Sequence, residues 1–374
     1  AHGRCWKWST PCSAPTAKTD MDGLSDGVIA AAIGFGGGVL LGLAGQMGRF
    51  CTLGAIEDAL YGQDFRRLRM WSLAIGLSII GAFLLMEGGV FHASDTVYAA
   101  LDWNPLASIA GGLIFGDGMA IAGNCGFGAL VRLGGGDLRS FLIVIVMGIS
   151  AFMAIGGPIG LLRVEVFPPS AASGDLADFG YAHAAAAATG LPVFAFAGLI
   201  GAVFIALALM SVEFRTSPRH VIWSIVAAAA ILSGWAGLGP LAAESFDNIQ
   251  VQSHTFTVPI GDTIMYLMTA SAGGLNFAIG SVAGVLSSAL AGSLFRKRFR
   301  WEACDDPREL GRQMFGGFLM GVGAVLALGC SVGQGLTAFS TLTFNAPVVA
   351  VCIFLGAAFG LKSLISGGIF RQNG

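Results

Sequence analysis

The sequence predicts an all-α polytopic membrane protein of about nine transmembrane helices, with short broken or re-entrant helices and internal inverted repeats; three observations carry this. Of 374 residues, 55% are apolar and only 11% are charged, against about 25% charged in soluble domains. Apolar stretches of roughly 20 residues, the length that crosses hydrocarbon, recur along nearly the whole chain. Glycine is in excess at 57 residues, about twice its usual share, and in membrane helices it serves close packing or helix breaks. The 20 basic and 22 acidic residues nearly cancel, which leaves neither a basic footprint for nucleic acid nor an acidic tail.

Residues 1–24 lack an apolar core and read as a mobile extension rather than a signal peptide, and residues 25–374 read as one transmembrane domain embedded in lipid. The first span, about Asp26 to Ala44, opens on an acceptor cap at Asp26. The second, Arg69 to Gly88, follows the basic loop that holds Arg66 and Arg67. The third, Pro105 to Ala122, takes a first-turn proline, and the fourth, Asp137 to Gly156, takes its cap from Asp137 beside the basic stretch Arg132 to Arg139. Leu191 to Ser211 follows a long connection from Pro168 to Gly190, and Pro218 to Leu238 opens on proline within the basic stretch of Arg215 and Arg219. Ser271 to Phe295 runs into Arg296, Lys297, Arg298 and Arg300; Glu309 to Leu328 starts after Pro307; Ala346 to Ile365 is the last span. Lys and Arg accumulate on the cytoplasmic side, so these basic connections go inside, and the run Arg296 to Arg300 reads as a positive-inside anchor. The connections with Asp95 and Asp102, with Asp175 and Asp178, and with Glu244, Asp247 and Asp262 go outside, which places Lys362 and Arg371 in the cytoplasm.

The glycines also act as a ruler for repeats. Gly111, Gly112, Gly116, Gly118, Cys125 and Gly128 fall on Gly316, Gly317, Gly321, Gly323, Cys330 and Gly333 at a constant offset of 205 residues. A third copy places Gly37, Gly38, Gly42, Cys51 and Gly54 on the same template at an offset of 74, and a degenerate fourth from Gly273 and Gly274 reaches Ser287 where the others have a thiol. By loop charge, the Gly111 copy runs inward and the Gly316 copy outward. Related units of opposite sense mark inverted-repeat transporters, whose substrate site lies between them. The halves fall at about 25–165 and 260–370, joined by the helices at 191–238.

Seven cysteines are present, no pair has metal-ligand spacing, and the five histidines complete no ligand set, so neither metal nor cofactor is expected. Cys5, Cys12, Cys304 and Cys352 read as isolated or packing residues. Cys51, Cys125 and Cys330 differ, because each stands at one point of the template, after a glycine-rich stretch and before a short apolar segment. Each is expected to start the second half of a discontinuous helix broken near Gly48, Gly123 to Asn124, and Gly329. Helix starts offer free N–H groups and a positive dipole end to an anion. An S–H group is a weak, polarizable donor suited to a soft sulfur acceptor. The thiols have to stay protonated, since a thiolate repels an anion and loses its donor. Arg49 either attracts the anion or pairs with Glu57 or Asp58; Asn124 and Gln334 either donate to substrate oxygens or satisfy backbone groups freed by the breaks. Asp117 takes part either in proton coupling or in a hydrogen bond to a neighbouring helix.

Through GRFCTLG, GNCGFG and GCSVGQG, over about Gly27 to Ile369, the chain resembles the YeeE/YedE family of bacterial inner-membrane sulfur transporters. The resemblance implies an hourglass-shaped helical fold and uptake of thiosulfate or a related reduced sulfur anion, not an enzymatic activity. It also implies a relay in which the anion passes between Cys51, Cys125 and Cys330 by S–H to sulfur hydrogen bonds, and a small TusA-like sulfur-carrier protein as cytoplasmic partner. Selenium-linked or persulfide-linked members leave the cargo's identity open. An alternative from another class is a membrane sulfurtransferase or thiol redox protein. That activity needs an activating base or a resolving thiol, and the sequence shows neither a C-x-x-C pair nor a mid-membrane histidine. A structural subunit of a larger assembly makes no use of three equivalent thiols.

Overall fold

A computed structural model describes residues 25–98, 103–168, 180–245, 249–271, 273–302 and 306–366. The extension 1–24 with Cys5 and Cys12 lies outside them, as do Cys304, Asp102, Asp175, Asp178, Asp247 and Arg371. In chain order the helices are α1 (Asp26–Gly48), α2 (Thr52–Glu57, continued by a π turn Asp58–Gly62), α3 (Arg66–Glu87), α4 (Pro105–Ala122) and α5 (Gly126–Gly134). Then come α6 (Leu138–Ile155), α7 (Pro158–Val166), α8 (Tyr181–Thr189), α9 (Val193–Leu209) and the single turn α10 (Val212–Arg215). The chain closes with α11 (Pro218–Glu244), α12 (Thr257–Thr269), α13 (Phe277–Phe295), α14 (Pro307–Leu326), the half-helix 331–340 with its π-helical segment Gly333–Ala338, and α15 (Asn345–Ser366). Among the described residues the only β pairings are two isolated bridges, Thr96 with Val251 and Asp137 with Glu302.

All nine expected spans are helices, and seven elements are long and apolar enough to cross a membrane. The protein is therefore a multi-pass membrane protein. Of the other two, α9 has 17 residues, about 26 Å at 1.5 Å per residue, and α14 carries Arg308, Glu309 and Arg312 in its first turns. Local chemistry sets the starts. Asn104 accepts from Leu106 and Ala107 N–H ahead of Pro105, Asp137 accepts from Arg139 N–H, and Asp306 accepts from Arg308 N–H ahead of Pro307. Asn276 accepts from Ile279 N–H at 2.9 Å, so α13 starts there rather than at Ser271.

Two further expectations are corrected. The connection from Pro168 to Gly190 contains α8, and the stretch ending at Asp262, read as an outer connection, contains α12 with Asp262 inside it. Neither helix has the uninterrupted apolar length of a span, so the search for spans passed over both. In the fourth copy, which lacks the thiol, α13 runs continuously through Ser287, whose hydroxyl donates to Gly284 O.

The glycine template dictates how the helices meet. Gly111 and Gly323 face each other's backbones, as do Gly118 and Gly316, so α4 and α14 cross antiparallel through reciprocal close approach. This is the opposite sense that the inverted repeat requires. The neighbouring template glycines each seat a parallel helix: Gly38 and Gly42 against α13, Gly112 and Gly116 against α15, and Gly317 and Gly321 against α6. A side chain at Gly280 or Gly284 would strike the carbonyls of Ala31 or Phe35 at 2.0 and 2.3 Å. In lipid, where apolar burial does not drive helices together, such contact supplies the packing energy.

Candidate functional site

Each of the three copies ends its long helix the same way. Arg49 (φ 57°), Gly123 (φ 76°) and Leu328 (φ 58°) turn left-handed, and the cysteine follows two residues later. Glycine adopts this conformation freely, whereas Arg49 and Leu328 need holding. Arg67 donates from Nε and Nη2 to Arg49 O at 3.2 and 3.0 Å, and Gln334 Nε2 donates to Leu328 O at 2.7 Å. Both non-glycine breaks therefore have their freed carbonyl bound by a side chain. Gln334 Nε2 is thus bound to the break, while its Oε1 is buried without a hydrogen-bond partner among the described residues. Asp58 pairs with Arg67 at 3.1 Å, and among the described residues no ion pair involves Arg49, whose side chain is exposed.

After the break the chain extends, and the cysteine caps the next half-helix. Cys51 (φ −144°, ψ 132°) precedes α2 and Cys125 (φ −85°, ψ 166°) precedes α5. Cys125 Sγ accepts from Gly128 N–H at 3.2 Å, and Cys330 Sγ accepts from Gly333 N–H at 3.4 Å, so the template glycine three residues on serves both sulfurs. Cys51 and Cys125 lie 3.7 Å apart, sulfur to sulfur, as free thiols. With one S–H donating to the other sulfur, one S–H stays available to a ligand.

Cys330 stands in a different shell. Phe256 N–H donates to its sulfur at 3.4 Å and Thr255 Oγ1 is 3.5 Å away. The three thiols thus form a pair and a single site rather than one cluster, linked where the Phe127 ring of the Cys125 half-helix meets Phe256, centroids 5.1 Å apart. Thr255 and Phe256 went unrecognised in the sequence because residues 249–256 read as a polar connection. The same segment carries a buried histidine. His254 is fully buried, its Nδ1 2.7 Å from Ser281 Oγ, and Gly37 leaves room for its ring. That ring sits on the α1 and α13 side while Thr255 and Phe256 meet Cys330, so it does not provide a base against the thiol.

Two buried hydroxyls follow the thiols in the template. Thr52 and Ser331, together with Trp71 Nε1, have no partner among the described residues and line an apolar cavity of about 130 Å³ between α2, α3, α15 and the half-helix 331–340. Asn124, between the break and Cys125, is buried with its amide oxygen unpartnered. Asp117 Oδ1 is also buried without a hydrogen-bond partner among the described residues, and Gly360 makes room for it. Cys352 packs in α15 against Gly112, away from the thiol pair. Among the described residues no group of His, Cys, Asp and Glu could hold a metal ion.

A family described as "Sulphur transport" matches residues 47–359, which include all three thiols and both inverted units. The chain is similar to the protein named thiosulfate transporter TsuA from Escherichia coli K12, 25% identical over 340 residues, 85% of this chain and 90% of that one. It is likewise similar to the TsuA thiosulfate transporter of Spirochaeta thermophila, 24% identical over 323 residues, 85% of this chain and 94% of that one.

Proposed function

The chain belongs to the YeeE/YedE sulphur-transport family, and from that membership we propose that it carries thiosulfate across the bacterial inner membrane through Cys51, Cys125 and Cys330. The observation that carries the reading is the free pair Cys51 and Cys125 at 3.7 Å, each capping a half-helix after the same left-handed break. A dianion leaving water needs its hydration replaced. Half-helix N–H groups face its charge, and S–H groups face its soft terminal sulfur. The Thr52 and Ser331 hydroxyls and Trp71 Nε1 are buried donors without a hydrogen-bond partner among the described residues. Each contact is weak, which favours conduction, because a station that binds tightly does not release. No bond to sulfur forms or breaks, and the ion exchanges one S–H donor for the next. A TusA-like carrier in the cytoplasm would receive it.

The test is uptake of radiolabelled thiosulfate into proteoliposomes, with sulfate, sulfite and selenium compounds as competitors. Cys51→Ala, Cys125→Ala and Cys330→Ala are each expected to abolish uptake while the protein still inserts. Undiminished uptake in all three would refute the relay. A second reading, thiol–disulfide exchange, draws on the same 3.7 Å contact, since it supplies the resolving thiol that the sequence did not reveal. Under that reading Cys330→Ala retains activity and a Cys51 to Cys125 disulfide accumulates under oxidant; under the relay, Cys330→Ala is inactive and excess reductant leaves uptake intact.

A further inference from the structure

A cavity of about 460 Å³ opens beside the thiol pair, with Asn124 in its wall next to Cys125. Five guanidiniums line it, from Arg132, Arg139, Arg298, Arg300 and Arg312, against three carboxylates, from Asp137, Glu302 and Glu309, an excess of two positive charges. The loops that carry them are joined: Leu138 N–H donates to Glu302 O at 3.1 Å and Arg300 N–H to Gly135 O at 3.3 Å. Two basic stretches far apart in sequence therefore form one wall, and Arg298 and Arg300 do more than anchor a loop.

The carboxylates neutralise this wall only in part. Asp137 is committed as the cap of α6, accepting from Arg139 N–H and the Ser140 hydroxyl, and Glu309 Oε1 accepts from Gln313. The ion pairs to Arg139 are 3.6 and 3.7 Å and the one to Arg312 is 3.9 Å, longer than hydrogen bonds. Arg139 Nε and Arg312 Nε are buried and make no hydrogen bond among the described residues, and neither does the amide oxygen of Asn124, a residue only 2% exposed. A half-turn of that amide exchanges acceptor for donor. Guanidinium forks with open donors match the oxygens of a small oxyanion, and the charge excess matches a dianion.

We infer that this cavity is an anion-binding vestibule, a station for a divalent sulfur oxyanion that exchanges with the Cys125 thiol past Asn124. This rests on the transport reading for the identity of the ion. Arginine clusters also bind anionic lipid headgroups through the same chemistry, and the experiment separates the two sources.

Thiosulfate is titrated calorimetrically into the purified full-length protein in nanodiscs of phosphatidylcholine, and radiolabelled uptake is measured in parallel in proteoliposomes. The pair Arg139→Gln and Arg312→Gln, and separately the exposed loop pair Arg298→Gln and Arg300→Gln, are each expected to weaken binding on the order of tenfold or more. Added sodium chloride is expected to weaken wild-type binding and to affect the variants less. Replacing phosphatidylcholine by phosphatidylglycerol is expected to leave the affinity unchanged. Affinity unchanged in both variant pairs, with wild-type uptake intact, overturns the vestibule. Loss of thiosulfate binding in phosphatidylglycerol overturns it too, because the occupant is then a headgroup. Binding that depends on these arginines without any wild-type uptake supports the vestibule and overturns the transport reading instead.

Discussion

Gly128→Ala tests the path at the thiol pair with the smallest added volume. A methyl at residue 128 would lie 3.3 Å from both Cys125 Sγ and Cys51 Sγ and 3.7 Å from Asn124 Cβ. Relaxed carbon contacts sit at about 3.5–4.0 Å and sulfur is larger, so both sulfurs must retreat by a few tenths of an ångström. Overpacking of this kind costs roughly 1–3 kcal/mol, and the alanine's better helix propensity returns about 1 kcal/mol. The net loss, about 0–2 kcal/mol, leaves the protein folded. Function fares worse, because the methyl occupies the notch an ion needs in order to touch both sulfurs. It also displaces the Gly128 N–H that donates to Cys125 at 3.2 Å. Loss of one S–H contact of about 1 kcal/mol slows passage roughly fivefold, and complete occlusion stops it. The assay is thiosulfate uptake in proteoliposomes at matched protein content, with thermal unfolding of the same preparation. Uptake at the wild-type rate in a folded Gly128→Ala protein would refute the placement of the path.

Two further contrasts separate packing from transport. Gly280→Ala would set a methyl 2.0 Å from the Ala31 carbonyl, a backbone atom that cannot yield unless α1 and α13 part, so about 3 kcal/mol or more of stability is lost and little protein survives detergent extraction. Gly198→Ala in α9 meets nothing within 4 Å and is expected to raise thermal stability by about 0.5–1 kcal/mol with uptake unchanged. Cys125→Ser substitutes a stronger cap, keeping or slightly improving stability, and is expected to lose uptake because a hydroxyl is a harder donor; a serine protein that transports normally would reduce Cys125 to a capping residue.

The spans were legible because lipid demands long apolar runs, and the helix breaks because one glycine template recurs with a cysteine at a fixed point. The antiparallel crossing of α4 and α14 was legible too, from glycine spacing combined with loop charge. What escaped is what periodicity does not encode. Residues 249–256 read as polar connection, yet they place Thr255 and the Phe256 N–H on Cys330 and bury His254. A re-entrant segment has its polar groups bound by neighbouring helices, here Ser253 by Ile231 O and the His254 carbonyl by Thr337, and such partners are visible only in three dimensions. The split of the thiols into a pair and a single site was hidden for the same reason.

The breaks also indicate what the repeat holds constant. A left-handed residue two positions before the thiol occurs in all three copies, but it is glycine in one, arginine in another and leucine in the third. The strained versions are held by unrelated side chains, Arg67 from α3 and Gln334 from within the half-helix itself. If these cysteines were only small packing residues, nothing would require a turn of 1–2 kcal/mol strain to be rebuilt by different means at the same spacing. Cysteine is also not among the preferred helix caps, so stability does not account for its recurrence. The common factor in all three copies is a cysteine at the start of a half-helix with a glycine three residues on: a methyl at Gly128 would lie against both sulfurs of the pair, and the Gly333 N–H donates to Cys330 Sγ at 3.4 Å. A cysteine that recurs at this point while the residue that creates the break varies is what supports proposing the thiols as the path.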